Sequence, residues 1–113
     1  MDEEARVRYS TKVFAAENRV SASGTARILD NTDQGKLLAR RAALTDARRN
    51  LIELRRKLLG DPVFKSGARF SGRVVVPDVY SERIEGDLYF LEIDMPLDSL
   101  LEVGWEESFP AFR

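Results

Sequence analysis

The 113-residue sequence predicts an α+β fold, a two-layer sandwich in which one long helix packs on an antiparallel sheet of three to four strands. Three observations predict it. The middle of the chain has a helical pattern about 27 residues long, the flanking segments alternate as strands do, and turn sequences separate those strands. Because the helix and the sheet each have one apolar face, packing one on the other is the simplest way to bury both.

The segment before the helix is predicted to be extended, with one interruption. One face of residues 20–28 carries small or apolar side chains, namely Val20, Ala22, Gly24, Ala26 and Ile28. Small side chains would let a helix approach this strand closely. The alternation continues upstream through residues 9–15, but a single strand over residues 9–28 would be far longer than strands usually are. We therefore expect a hairpin turn or a bulge near Glu17 and Asn18.

The long helix is predicted to begin at a cap formed by Asp30 or Thr32 and to end at Gly60. Asp33 falls in the first turn, where the helix dipole favours an anion. A helical wheel gives a core-facing stripe made up of Leu37, Ala43, Leu44, Ala47, Leu51, Leu54 and Leu58. Leu44, Leu51 and Leu58 recur every seven residues, so we expect them to be buried. Arg40 also lies within this stripe and does not fit it.

Two further strands are predicted after the helix. A strand begins at residues 73–76, where Pro77 interrupts it or marks an edge. Residues 79–85 and 88–95 then form a hairpin about Gly86 and Asp87. The second strand of this hairpin has one apolar face, formed by Tyr89, Leu91, Ile93 and Met95. Its other face is half apolar and consists of Leu88, Phe90, Glu92 and Asp94.

The C-terminal part is predicted to hold a short helix and an aromatic tail. The helix covers residues 97–103 and is stopped by Gly104. The tail carries Trp105, Phe109 and Phe112. A two-layer sandwich leaves one sheet face uncovered, and Leu88, Phe90 and the tail aromatics are candidates to cover it.

Composition excludes several functions. The chain has no His and no Cys, which removes zinc sites, thiol catalysis and Ser-His-Asp catalysis. No apolar run approaches the roughly 20 residues of a membrane-spanning helix. The net charge of −1 hides a segregation, because residues 32–60 carry +5 and residues 61–113 carry −6. Such complementary charges can pair within one chain or between subunits.

Several segments share a pattern with a known family: Val20–Ala26 with small residues in the order SAxGxA, Ala42–Leu54 in the order AAxxDAxRNLxE, Gly60, Val74–Val76 and Tyr89–Leu97. Over residues 20–98 the chain resembles the LPP-twenty-like domain of small outer-membrane lipoproteins and of flagellar assembly proteins P and T. The resemblance implies a single such domain over residues 1–113, without catalysis, in the periplasm or on the periplasmic face of the outer membrane. A lipid anchor would require a longer precursor, since no lipobox Cys is present.

No catalytic, cofactor or metal residues are predicted. The carboxylate pairs Glu92 with Asp94 and Glu85 with Asp87 are interpreted as a solvated hairpin. Residues 30–35 look like the start of an EF-hand loop, but its twelfth position is Arg41 where calcium needs a Glu, which favours a helix cap. Nucleic acid is not an expected partner, because the basic helix lacks aromatic residues and the isoelectric point is about 5.5.

The expected function is protein–protein interaction, with self-association as the main expectation. On the helix the candidate interaction residues are Asp46, Arg49, Asn50 and Glu53, spaced i, i+3, i+4 and i+7. We expect the Asn50 amide to bind backbone groups of a neighbouring strand or loop. The remaining candidates are Leu88, Phe90 and Trp105. The alternative is a dodecin-like oligomer that binds a small ligand such as a flavin, since its strand-helix-strand-strand order is similar; Trp105 then either stacks on a ring or fills the core.

Overall fold

The computed structural model describes residues 10–61, 76–102 and 105, and it confirms the two-layer α+β sandwich. Its elements are β1 (Thr11–Phe14), a 3-10 turn (Ala15–Glu17), β2 (Arg19–Arg27), α1 (Asp33–Leu59), β3 (Asp78–Glu85), β4 (Leu88–Pro96) and α2 (Leu97–Leu100). The four strands form one antiparallel sheet in the order β1-β2-β4-β3. Helix α1 packs on one face of this sheet, mainly over β2 and β4.

A tight turn joins β1 to β2, as the sequence predicts. Asn18 has a left-handed backbone with φ of 54°, and its N–H donates to the Ala15 carbonyl at 3.2 Å. Asn tolerates this conformation better than most residues. Ala15, predicted to lie in the strand, instead begins the turn, and Tyr9 lies outside the described residues.

Both predicted ends of α1 are confirmed. The Thr32 hydroxyl accepts a hydrogen bond from the Gly35 N–H at 3.0 Å, which satisfies one of the free donors of the first turn. At the other end the Gly60 N–H donates to the Arg56 carbonyl at 3.2 Å. Gly60 has a φ of −78°, so this end does not depend on the conformational freedom of glycine.

The helix approaches β2 closely through small residues. A Cβ built on Gly24 would lie 2.0 Å from the Ala43 carbonyl oxygen and 2.5 Å from the Ala47 nitrogen, so no side chain fits there. The buried positions in the first half of the helix are spaced by four and are all small: Gly35, Ala39, Ala43 and Ala47. Of these, Ala43 and Ala47 lie against Gly24. The small-residue face of β2 therefore positions the helix, as the sequence predicts.

The core-facing stripe differs in part from the prediction. Leu51 is fully buried and Leu54 nearly so, but Leu44 and Leu58 are only half-buried at the margin of the core. Leu37 is 46% exposed, so its assignment to the core was wrong. The cause is the close contact with β2, which turns Ala43 and Ala47 toward the sheet. Leu37, Leu44 and Leu58 therefore lie toward the sides of the helix.

The β3–β4 hairpin is confirmed with small changes in its bounds. Gly86 has a φ of +60°, as the first position of a type II′ turn requires. Strand β3 begins at Asp78, directly after the buried Pro77, whose missing N–H suits a position outside the ladder. The predicted strand start at residues 73–75 lies outside the described residues, and Val76 is not part of a strand. A β-bulge between Val79 and Ser81 shifts the register at Tyr80.

The C-terminal helix is shorter than predicted: α2 ends at Leu100, whereas the sequence predicts a helix over residues 97–103. The Arg55 side chain donates to the Leu100 carbonyl at 2.9 Å and to the Glu102 carbonyl at 2.8 Å, which satisfies backbone groups at this helix end. Trp105 is 3% exposed and belongs to the same core as Leu97. Its assignment as a cover for the other sheet face was therefore wrong. Residues 103, 104, 109 and 112 lie outside the described residues.

Candidate functional site on the outer face of the sheet

The sheet face opposite α1, here called the outer face, carries the side chains that alternate away from the core. Neither described helix lies on it, since α1 and the leucines of α2 pack on the other side. The outer face divides along the strands into two halves. The half at the Gly86 end, here called the apolar half, holds Leu88 and Phe90 beside Thr25, Arg27, Arg83 and Glu85. The half at the Asn18 end, here called the polar half, holds Lys12, Phe14, Arg19, Ser21, Tyr80 and Asp94.

In the apolar half, Leu88 and Phe90 project from the same side of β4. Leu88 is 37% exposed and Phe90 is half-buried. The Arg83 guanidinium lies 4.7 Å from the centre of the Phe90 ring, a cation–π contact worth about 0.5–1 kcal/mol at an exposed site. Arg83 also pairs with Glu85 at 2.9 Å. Both predicted apolar residues of β4 thus lie on the outer face, which neither described helix covers.

In the polar half, charged and hydroxyl groups form cross-strand contacts. Arg19 pairs with Asp94, and the Tyr80 hydroxyl donates to the Glu92 carboxylate. Burial raises the pKa of Tyr80, and its bond to Glu92 raises it further, because loss of the proton would place two negative charges side by side. Ser21 is 8% exposed and lies beneath these groups.

A pocket of about 250 Å³ opens between the outer strands of the polar half. The aromatic residues among its lining side chains are Phe14 from β1 and Tyr80 from β3, and Ser21 contributes from β2 between them. Sequence reasoning missed this pocket. It depends on the register of four strands and on the bulge at Tyr80, for which the sequence carries no local signal.

The helix candidates separate into two pairs. Asp46 and Asn50 bind β2 backbone groups next to the hydrogen bond that the Ser23 N–H donates to the carbonyl of Ser10, the first described residue. The Asn50 amide donates to the Ser23 carbonyl at 2.8 Å, and Asp46 accepts from the Thr25 N–H at 3.0 Å. The Asn50 bond is the one the sequence predicts, whereas the Asp46 bond was not predicted. Both side chains therefore bind backbone groups at this edge of β2.

The other two helix candidates, Arg49 and Glu53, are exposed. Of the four residues, Asp46 and Asn50 are the two that bind β2. A signal for this pairing was available, since residues four apart lie on one side of a helix, here beside the buried Ala43 and Ala47.

Arg40, the misfit in the predicted stripe, joins a network between the layers. Its Nε lies 2.6 Å from Oε1 of Glu82 on β3, and the Tyr89 hydroxyl donates to the same oxygen at 2.6 Å. The bond from Tyr89 and then the one from Arg40 lower the pKa of Glu82. The basic helix and the acidic hairpin are thus paired within the chain at Arg40 and Glu82.

The remaining carboxylates that resembled sites have local partners. Asp87 pairs with Arg27 at 2.8 Å, and this hydrogen bond lowers the pKa of Asp87. Asp30 accepts from the Thr32 hydroxyl at 3.2 Å, so the segment that resembles a calcium loop forms a helix cap. Within residues 10–61, 76–102 and 105, no cluster of three acidic side chains could hold a metal ion.

Trp105, the stacking candidate for a ring ligand, lies in the core and not on a surface. Among the described helices, none is long and apolar enough to cross a membrane. Comparisons with models of protein families, with curated proteins and with solved structures found no match.

Proposed function

We propose that this chain is a non-enzymatic protein-interaction domain that assembles through the apolar half of its outer face, with a second copy of the chain as its partner. The observation that carries the proposal is the position of Leu88 and Phe90, which lie next to each other on a sheet face that neither described helix covers. Exposed apolar side chains grouped on one face are typical of interaction surfaces.

The charges of the outer face favour a second copy over an unrelated partner. At the Gly86 end, β3 places Arg83 beside Phe90 and Glu85 beside Leu88. A two-fold axis perpendicular to the strands, passing between Leu88 and Phe90, would place Leu88 of one copy on Phe90 of the other and Arg83 opposite Glu85. The Asn18 ends of the two sheets would then extend in opposite directions, away from the interface. The same surface is thus complementary to itself, as a closed dimer requires.

The cellular setting of this assembly is proposed from the family resemblance. Residues 20–98 resemble the LPP-twenty-like domain, which supports an assembly associated with the cell envelope or the flagellum. We therefore place the protein in the periplasm or on the periplasmic face of the outer membrane. Fractionation of the source cells with an antibody to the chain tests this placement. Recovery in the cytoplasmic fraction alone would contradict it.

The self-association is tested by sedimentation velocity at micromolar concentration. The chain is expected to sediment as a dimer. Phe90→Glu places a charge in the apolar half and is expected to give monomers, while high salt leaves the wild-type assembly intact because apolar contacts hold it.

Leu38→Glu is the matched control for this experiment. Leu38 is 55% exposed on the opposite side of the molecule, on α1, and takes the same change of an apolar to an acidic side chain. It is expected to sediment like wild type. A monomeric wild-type chain, or dissociation by Leu38→Glu and not by Phe90→Glu, would contradict the proposal. A visible absorbance band in the purified protein would instead favour the flavin-binding alternative.

A further inference from the structure

We infer that the pocket in the polar half of the outer face binds a neutral pyranose ring, that is, one sugar residue of a free or polymeric saccharide. This inference is independent of self-association, since the pocket lies at the Asn18 end of the sheet and the proposed interface at the Gly86 end. Three features of the pocket carry it: its balance of charge, its aromatic walls and its size.

The charged side chains of the pocket sum to zero. Lys12 and Arg19 supply two positive charges, and Glu17 and Asp94 supply two negative charges. Neither an anion nor a cation is therefore favoured over a neutral ligand. The same groups provide both donors and acceptors, and the Ser21 hydroxyl can act as either. Sugar hydroxyls, which each donate and accept, match such a mixed lining better than a ligand that only accepts.

The aromatic walls provide the apolar part of the site. Phe14 is 45% exposed and Tyr80 is 52% exposed, so each ring offers a face to a ligand. The bond from the Tyr80 hydroxyl to Glu92 holds that ring in place, which lowers the entropy lost on binding. One face of a pyranose ring presents C–H groups, which pack on an aromatic ring while its hydroxyls reach the polar groups.

The size of the pocket selects a single ring. Its volume of about 250 Å³ lies below the roughly 300–1,000 Å³ of pockets for drug-sized ligands. One sugar ring suits this space, whereas a flavin, with three fused rings and a side chain, would extend beyond it. The small side chain of Ser21 keeps the space between the aromatic walls open.

The experiment is a titration of the isotope-labelled full chain, followed by amide chemical shifts. The probes are the methyl β-glycosides of glucose, galactose, mannose and N-acetylglucosamine. Each is added to about 50 mM, which would saturate a site with a Kd of about 1 mM. At least one glycoside is expected to give saturable shifts at Phe14, Ser21 and Tyr80, with little change at Leu88.

Variants distinguish stacking from a general effect on the fold. Tyr80→Ala and Phe14→Ala are each expected to weaken binding by about tenfold or more, as loss of about 1.4 kcal/mol requires. Tyr80→Phe keeps the ring and is expected to bind within about threefold of wild type, which corresponds to a loss of less than about 0.7 kcal/mol. Phe90→Glu, which is expected to abolish self-association, should bind the sugar like wild type.

Three results would overturn the inference. The first is the absence of saturable shifts with all four glycosides. The second is binding that Tyr80→Ala leaves unchanged. The third is a response to riboflavin, and to none of the glycosides, at the same three residues. Failure of self-association in sedimentation leaves these outcomes unaffected, so the two proposals can fail separately.

Discussion

The close contact between α1 and β2 leaves no room for a side chain at Gly24. Gly24→Ala adds one methyl group at a point where its carbon would lie 2.0 Å from the Ala43 carbonyl oxygen and 2.5 Å from the Ala47 nitrogen. Both are backbone atoms, which cannot rotate away as a side chain can. The helix must therefore move off the strand, which also lengthens the bonds from Asn50 and Asp46 to β2.

The expected destabilisation follows from this geometry. Overpacking a core with one or two carbons costs about 1–3 kcal/mol, and the rigid neighbours place Gly24→Ala at the upper end of that range, about 3 kcal/mol. With a urea dependence of about 1–3 kcal/mol per molar for small domains, the unfolding midpoint should fall by about 1–3 M. Equilibrium unfolding followed by circular dichroism measures this change.

Gly60→Ala is the control for the same chemical change. A Cβ on Gly60 would contact the Lys57 and Arg56 carbonyl oxygens at 3.4 and 3.6 Å, and its φ of −78° is ordinary for any residue. This variant should be as stable as wild type or gain about 0.4–1 kcal/mol, because alanine restricts the unfolded chain. A midpoint for Gly24→Ala equal to that of wild type would refute the placement of α1 on β2.

Further predictions concern the core, the strand edge and pH. Leu51→Ala should cost about 2–5 kcal/mol because Leu51 is fully buried, and an unchanged denaturant midpoint would contradict the orientation of α1. Asn50→Leu should cost about 1–3 kcal/mol despite better helix propensity, because the Ser23 carbonyl loses its partner; a variant as stable as wild type would show that this bond contributes nothing. The pKa of Glu82 is lowered from 4.5 in the folded chain, so its stabilisation is present above that value and is lost as pH falls through the folded pKa. Glu82→Gln should therefore lose less stability than wild type between neutral and acid pH, and parallel pH profiles would argue against a role for this carboxylate.

The local parts of the fold could be predicted because single residues determine them. Thr32 caps α1 through its own hydroxyl, and Gly86 supplies the positive φ that the β3–β4 turn needs. The run of small side chains around Gly24 also predicts a close contact between this strand and the helix, because small residues on a strand let another element approach closely. Each of these signals lies within a few residues of the structure it determines.

The side-to-side placement of α1 could not be predicted in the same way. The helical wheel predicts one buried stripe that holds five leucines together with Ala43 and Ala47, since large apolar side chains are usually buried. At the contact with β2, the short distance between helix and sheet determines which helix residues face the sheet. Gly24 admits only the small positions Ala43 and Ala47, so Leu37 remains exposed. The apolar periodicity predicts the helix itself, but strand β2 determines which side of the helix lies closest to the sheet.

The candidate site could be predicted only in part. The alternation of β4 placed Leu88 and Phe90 on the outer face, and the poor helix propensity of Asn50 indicated its bond to β2. The pocket between Phe14 and Tyr80 combines residues from strands far apart in sequence. Their proximity follows from strand order and register, which one sequence does not specify locally.

The most direct test of the central claim is the solvent exposure of the Leu88 methyl groups in the unmodified chain. Proton relaxation caused by a soluble paramagnetic agent measures it, at concentrations below and above the onset of association. The account predicts that the Leu88 methyls become protected as the chain associates, while the Leu38 methyls on α1 stay exposed. Leu88 methyls that remain equally exposed at every concentration, in a chain that does associate, would contradict an interface on the outer face.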